Sequence, residues 1–171
     1  MVEELSRDLP GLKTFVTLSP APGFGPWLKR VAADPAAAGL EELDTASLDA
    51  LRTPGWHSDP DMAERLQPTL MYLAAHYYLR AKGSSGRLPD PVGRFHLGNG
   101  ARLERLNWLG DTSEKGLRTA AGLMVNYLYD LRFIEANHET FANHGTVVAS
   151  PDVQQALREG SRKPVPEPRH V

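Results

Sequence analysis

A short apolar segment near the start of the chain, Thr14 to Leu18, constrains the fold more than any other feature of the sequence. Its β-branched and aromatic residues are typical of a strand, with Gly11 before it and Ser19-Pro20 after it as breaks. Since apolar and polar residues alternate little along it, we expect this strand to be buried on both faces. A turn-rich loop follows, and Pro26 is well placed as the first residue of a helix.

Helices are predicted at several places by spacing and by capping residues. Val2 to Leu9 has the spacing of one or two helical turns. Asp44 is placed to cap a short helix that has Leu48 on its inner face. Pro68 fits poorly inside a helix but well at its first position, so the strong apolar periodicity predicts a helix over residues 68–82.

The second half of the chain alternates between the two kinds of element. Residues 92–108 have a weak strand pattern after the turn at Gly98-Asn99-Gly100, although a helix is also compatible with them. Asp111 and Glu114 resemble a capping box that opens a helix. Residues 122–129 have the aromatic and β-branched content of a strand. Taken alone, the pattern predicts little more than one soluble α/β domain.

Residues 150–171 contain a helix-start signal followed by a composition typical of disorder. Ser150, followed by Pro151, is typical of a helix start and predicts a final short helix. Residues 160–171 alternate proline with charge, which predicts a disordered tail.

Composition excludes several classes of function. The 171 residues have a formal net charge of -2, so the chain lacks the basic field that binds nucleic acid. There are no cysteines, which removes disulfides, thiolate metal sites and a cysteine nucleophile. No segment has the roughly 18 consecutive apolar residues that a membrane span needs. We therefore expect a cytoplasmic protein that binds neither nucleic acid nor membrane.

Two residues are candidates for chemistry. Ser19 follows the predicted strand, where open α/β sheets place functional side chains, although serine before proline is also an ordinary turn residue. His96 lies between two apolar residues ahead of a tight turn. Its imidazole suits proton transfer near neutral pH, and a buried structural histidine is the alternative.

Metal and phosphate motifs are missing from the sequence. The histidines form no HxxxH or HExxH arrangement, so we expect no metal site. None of the glycine-rich segments has the spacing of a phosphate-binding loop.

Two stretches of the sequence resemble the malonyl-CoA decarboxylase family. They are TFVTLSPAPGFGPWL at residues 14–28 and DPVGRFHLGNGARLERLNWLGDTSEKGLRTAAGLMVNYLYDL at residues 90–131, and the similarity extends over most of residues 1–158. The resemblance implies that residues 1–159 are the C-terminal portion of a catalytic domain similar to the Gcn5-related acetyltransferase fold. The expected fold class is α+β (α/β-like), with a central sheet and flanking helices. The resemblance also implies that the N-terminal half of that fold, with the loop that holds the CoA pyrophosphate, is missing.

The resemblance further implies a site and a reaction. The family's catalytic serine and histidine fall on Ser19 and His96, and we expect Phe24 and Asn99 beside them in the substrate site. The reaction would convert malonyl-CoA to acetyl-CoA and CO2 through an enolate that His96 protonates with help from Ser19. No cofactor is implied beyond the coenzyme A thioester, which is the substrate.

The resemblance leaves alternatives open. The chain is expected to form a homo-oligomer or to pair with a separate N-terminal chain that completes the site. A non-catalytic remnant or interaction module from a split or truncated decarboxylase is the second hypothesis. A CoA-dependent acyltransferase is the third, and the histidine motif favours it less.

Overall fold

The computed structural model describes residues 4, 7–8 and 10–160. Three strands and six helices alternate along them, which confirms the α+β class, and three short 3-10 helices (Ala36–Ala38, Thr45–Arg52 and Trp56–Ser58) join α1 to α2. The elements are β1 Thr14–Pro20, α1 Phe24–Ala33, α2 Pro60–Leu79, α3 Pro91–Gly98, β2 Arg102–Asn107, α4 Glu114–Ala120, β3 Met124–Asp130, α5 Ile134–His144 and α6 Pro151–Gly160.

Two predictions fall on the parts of the chain that are not described. The helix predicted for Val2 to Leu9 lies for the most part outside the described residues. The tail predicted for residues 160–171 also lies outside them, apart from Gly160, which ends α6. Among the residues that are described, no helix is both long enough and apolar enough to cross a bilayer.

The sheet is antiparallel, with strand order β1-β3-β2. Thr17 lies opposite Tyr127, which in turn lies opposite Leu103, so these three side chains share one face. We call this the covered face, because the helices and the core lie against it. Its members are Phe15, Thr17, Ser19, Leu103, Leu106, Val125, Tyr127 and Tyr129.

The opposite side of the sheet, here called the open face, carries Val16, Leu18, Met124, Asn126 and Leu128. Val16 is 57% exposed and Leu18 is 61% exposed. The prediction that β1 is buried on both faces is therefore wrong. Apolar content alone predicted burial, but β1 is an edge strand whose open face has no helix over it in the described part of the chain.

Helix α1 begins at Phe24, two residues before the predicted start at Pro26. It buries Trp27, Leu28 and Val31, as its spacing indicates. At Gly25 the helix lies against α4, where a Cβ atom would meet the backbone carbonyl of Thr119. Glycine at this position allows the two helices to approach closely.

Pro68 does not begin a helix, and the prediction of a start there is wrong. Helix α2 begins at Pro60, and the carboxylate of Asp59 caps it by accepting bonds from the backbone N–H groups of Asp61 and Met62. Pro68 costs the helix one N–H donor. Its side of the helix is exposed, so water can satisfy the carbonyl left without a partner.

The ambiguous segment 92–108 contains both a helix and a strand. Asp90 caps α3, which carries His96 and ends at Gly98. The predicted turn follows, and Gly100 has φ +90°, in the region that favours glycine. A Cβ atom there would also meet the backbone oxygen of Ile134. The turn leads into β2.

Two helix starts were predicted in the C-terminal third. At α4 the cap is Ser113 and not Asp111, because the Ser113 hydroxyl accepts from the Gly116 N–H at 3.0 Å. Asp111 instead accepts from the Ser113 N–H. The predicted cap at Ser150 is confirmed, since its hydroxyl accepts from the N–H of Val153 in α6.

Candidate functional site

Ser19 is the last residue of β1 whose side chain lies on the covered face, and it is 7% exposed. Its Oγ lies 3.2 Å from Nε2 of His96, although the two residues are 77 positions apart in sequence. A second hydroxyl, Oγ1 of Thr17, lies 3.1 Å from the same Oγ atom. The structure therefore brings the two predicted residues into direct contact.

His96 lies near the end of α3 and is 8% exposed. Its ring stacks on Tyr127, with 4.5 Å between ring centroids and an interplanar angle of 23°. Burial lowers the pKa of the imidazole below its ordinary value of 6.5, because desolvation disfavours the charged ring. The neutral form therefore predominates at pH 7.

Tyr129 completes a hydrogen-bonded chain on the covered face. Its hydroxyl lies 2.6 Å from Nδ1 of His96, and burial raises its pKa to about 12. A phenol with that pKa stays protonated near neutral pH. Among the described residues, His96 is the only hydrogen-bond partner of this hydroxyl. The phenolic O–H therefore donates to Nδ1, which must accept. Since neutral imidazole has a single N–H, the proton of His96 is on Nε2, facing Ser19.

Sequence reasoning missed Tyr129 as a site residue. The available signal was the alternation of Val125, Tyr127 and Tyr129 within a predicted strand, which places all three on one face. Nothing in the sequence specified that this face also carries Ser19, because that depends on the β1–β3 register.

The two predicted substrate-binding residues lie in different environments. Phe24 is 1% exposed and packs in the core against Trp27 and Tyr77, with centroid distances of 6.1 Å and 5.5 Å. Its side chain therefore offers almost no surface to a ligand. Asn99 caps the C-terminus of α3 and is exposed, three residues from His96.

His76 and His138 are separate from this chain of hydrogen bonds. His76 is buried and stacks on Trp27 at 5.9 Å, as expected for a packing residue. His138 is exposed, and its Nδ1 lies 2.6 Å from the carbonyl oxygen of Gly98. Within residues 4, 7–8 and 10–160 no group of three or more His, Cys, Asp or Glu side chains is arranged to hold a metal ion.

A cavity of about 530 Å³ lies between α1, α4 and the 3-10 helix Thr45–Arg52. Leu28, Leu51 and Trp56 contribute to its apolar walls, and Lys29, Arg52 and Arg118 to its polar ones. Neither Ser19 nor His96 lines it. The cavity is therefore distinct from the hydrogen-bonded residues of the sheet.

The fold and site together define a class: an α+β domain whose antiparallel sheet holds a buried serine, histidine and tyrosine in one hydrogen-bonded chain. The family described as "Malonyl-CoA decarboxylase C-terminal domain" matches residues 1–165. The chain belongs to the malonyl-CoA decarboxylase family.

Curated relatives and solved structures agree with this assignment. The chain is 35% identical to the mitochondrial malonyl-CoA decarboxylase of Anser anser anser, with 90% of this chain and 34% of the relative covered. The Rattus norvegicus protein of the same name is also 35% identical, with 90% of this chain and 35% of that protein covered. The chain thus spans about a third of the length of these relatives.

The fold is similar to crystal structures of bacterial malonyl-CoA decarboxylases. The Rhodopseudomonas palustris protein has a TM-score of 0.83 at 54% identity, over 91% of this chain and 36% of that one. The Agrobacterium vitis protein has a TM-score of 0.83 at 51% identity, over 91% of this chain and 38% of that one. These likenesses support the partial-domain interpretation of the α+β fold.

Proposed function

We propose that this chain contributes the catalytic pair of an enzyme that decarboxylates malonyl-CoA to acetyl-CoA and CO2. The observation that carries the proposal is the 3.2 Å contact between Ser19 Oγ and His96 Nε2 in a member of this family. The relatives named above are malonyl-CoA decarboxylases, and each is about three times as long as the matched region. The relatives are named for the activity of their whole chains, and this chain matches only about a third of each. The same activity is therefore an inference for this chain.

The reaction needs a proton at one defined point. The bond between the malonyl α-carbon and its carboxylate breaks, CO2 leaves uncharged, and the electron pair remains as a thioester enolate. A hydrogen-bond donor beside the developing charge lowers the barrier, and the α-carbon must then receive a proton. One proton from solvent is consumed in each turnover.

His96 is suited to supply that proton. The tautomer favoured by Tyr129 holds it on Nε2, on the side of the ring where Ser19 lies. As Nε2 gives its proton to the α-carbon, Nδ1 can take the phenolic proton of Tyr129. A thioester enolate is a much stronger base than a phenolate, so the overall transfer is downhill. A proton from solvent then returns to Nε2 and Nδ1 gives its proton back to the phenolate, which restores the starting tautomer and the phenol.

Ser19 assists at the same position. Its hydroxyl is hydrogen-bonded to Thr17 and His96, so its oxygen has a defined place beside the imidazole. We propose that it holds the malonyl carboxylate or accepts a proton, without forming an acyl-enzyme. Exposed Asn99 remains a proposed contact for the thioester, whereas Phe24 would shape the site from the core behind it.

The rest of the CoA site is proposed to come from outside the matched region. We propose an acetyltransferase-like fold for the complete domain, completed by further chain or by a homo-oligomer. The open face of the sheet supports the proposal of a partner, because Val16 and Leu18 expose apolar surface that a partner could cover. We propose no cofactor beyond the thioester substrate. The cytoplasmic location stays a prediction, and the goose and rat relatives are named as mitochondrial.

The open face also supports the second hypothesis, a non-catalytic remnant or interaction module. An exposed apolar sheet face serves binding equally well in an inactive chain. The two hypotheses differ only in turnover, so activity must decide between them.

The test is to incubate the 171-residue chain with malonyl-CoA and measure acetyl-CoA and CO2. A parallel reaction adds the part of the R. palustris chain that the match does not cover. Ser19→Ala and His96→Ala should lower the rate by roughly 10²- to 10⁴-fold, as expected for loss of acid–base catalysis. His138→Ala is the matched control on an exposed histidine and should leave the rate unchanged.

Turnover in neither reaction would reject the proposal and favour the remnant. Turnover that both alanine variants keep would reject the catalytic pair while retaining the activity.

A further inference from the structure

Asp90 is a completely buried carboxylate that the chemistry above does not use. It is 0% exposed, and Oδ1 accepts from the Gly93 N–H at 2.9 Å, which caps α3. A helix cap normally lies at the surface, as Asp59 does at the start of α2. Burial of the cap at α3 requires a further explanation, because a buried carboxylate is costly unless its oxygens are hydrogen-bonded.

The second oxygen of Asp90 joins two other elements. Oδ2 accepts from the hydroxyl of Tyr77 in α2 at 3.1 Å and from the backbone N–H of Gly23 at 3.3 Å. Gly23 lies in the loop between β1 and α1, four residues after Ser19. A further backbone bond comes from Val92. The backbone N–H groups among these neighbours can only donate hydrogen bonds, so they require an acceptor at this position.

We propose that Asp90 is a positioning residue that sets the distance between Ser19 and His96. One carboxylate binds the loop that follows Ser19 and the first turn of the helix that carries His96, so it holds the two segments in one arrangement. Tyr77 supports the carboxylate from a third element. This inference rests on the proposed function, because it assigns Asp90 a role in the geometry of that same pair.

The two oxygens allow the capping role to be separated from the linking role. In Asp90→Asn the amide oxygen can still accept from Gly93, and asparagine caps helices about as well as aspartate. The amide nitrogen would then face the N–H of Gly23, a donor against a donor. Helix α3 should persist, while its link to the Ser19 loop is lost.

A second pair of variants tests the same link from the opposite side. A Cβ atom on Gly23 would press on the hydroxyl of Tyr77, so Gly23→Ala should push the loop away from Asp90. Tyr77→Phe removes that oxygen, and the remaining neighbours of the new methyl group, Asp90 Oδ2 and Tyr77 Cζ, lie at 3.4 Å and 3.6 Å. Tyr77→Phe should therefore rescue Gly23→Ala.

A readout that does not depend on turnover is the 1H–15N spectrum of the histidine rings in the 171-residue chain. The His96 signals are identified as those that disappear in His96→Gln. Asp90→Asn and Gly23→Ala should shift or broaden the Nε2 signal that reports the contact with Ser19. The Gly23→Ala/Tyr77→Phe double variant should restore it. Asp59→Asn makes the same chemical change at an exposed cap and should leave the signal unchanged.

In the reaction with malonyl-CoA, Asp90→Asn should lower kcat roughly 10- to 100-fold, the scale of a misplaced catalytic group. KM should change by less than about twofold, because most of the contacts with CoA are proposed to lie outside this region. If Asp90→Asn and Gly23→Ala are folded by circular dichroism and the His96 signal is unchanged in both, the positioning role is wrong. If Asp90→Asn does not fold, Gly23→Ala and its rescue decide alone. Shifted signals in a chain that never turns over malonyl-CoA would retain the positioning role and reject the decarboxylase.

Discussion

The two faces of the three-stranded sheet differ in a way that reverses the usual pattern. The covered face buries hydroxyl and imidazole groups, with Ser19 7% exposed and Tyr129 1% exposed. The open face leaves Val16 and Leu18 more than half exposed. Buried polar groups are tolerated only when their hydrogen bonds are made, and the Ser19–His96–Tyr129 chain makes them. The comparison teaches that the helices shield the buried polar groups from water, while the apolar side chains of the open face contact water.

The largest expected difference between the faces is in stability. Leu103→Ala on the covered face, where the side chain is 0% exposed, should lower the free energy of unfolding by about 2–5 kcal/mol. Leu18→Ala is the matched substitution on the open face and should change it by less than about 0.5 kcal/mol. Urea denaturation of both variants measures this. Equal losses would show that the open face is covered in solution.

A smaller effect is expected from removing one hydroxyl on the covered face. Tyr129→Phe should lower kcat roughly fivefold, because the net value of one buried hydrogen bond is about 1 kcal/mol. The His96 ring should then show a mixed population of tautomers in 1H–15N spectra, since nothing donates to Nδ1. Tyr72→Phe removes a hydroxyl from α2 and serves as the control. An unchanged tautomer in Tyr129→Phe would contradict the proposed proton location.

The pH dependence of stability reports the same burial. Burial lowers the pKa values of His96 and His76, so at these two residues the unfolded chain binds more protons than the folded chain below pH 6.5. Stability should fall as pH falls from 6.5 toward the lowered values, by at most about 1.4 kcal/mol per pH unit for each histidine.

His96→Gln should remove one part of this dependence and leave the part due to His76. Urea denaturation at several pH values measures the slope, with His138→Gln as the control for the substitution itself. The same slope in wild type and His96→Gln would mean that the covered face does not disfavour the charged imidazole.

Only a small stability effect is expected from a double substitution on the open face. Changing Val16 and Leu18 together to lysine should alter the free energy of unfolding by less than about 1 kcal/mol, since both side chains already contact water. Any self-association through this face should decrease, because charged side chains protect sheet surfaces and edges. Light scattering at several concentrations measures the mass. A stable oligomer that persists in this variant would place the subunit contact elsewhere.

Local signals in the sequence predicted most of the elements correctly. The strand from Thr14, the strand near residues 124–129 and the caps at Asp44 and Ser150 each depend on a few neighbouring residues. Pro68 was misjudged because the stronger start signal, Asp59 followed by Pro60, lies eight residues earlier. The burial of α2 then outweighs the cost of a proline in its interior.

The site was predictable only in part, for a different reason. Ser19 and His96 were candidates by position and received their roles from the resemblance, but neither source supplies the distance between them. The hydrogen bonds of Tyr129 and Asp90 depend on the register of β3 and the position of α3. The exposed face of β1 depends on which elements lie above it, and composition contains no such information.

Strand β1 has β3 as its partner in the sheet, and Asn126 reaches back to the carbonyl of Thr17 across 109 residues. During synthesis, β1 must therefore leave the ribosome and stay unpaired until β3 has been made. Closing so long a loop is entropically costly and slow. The serine and histidine would meet late in folding, and an apolar strand left unpaired during that interval is a natural substrate for a chaperone.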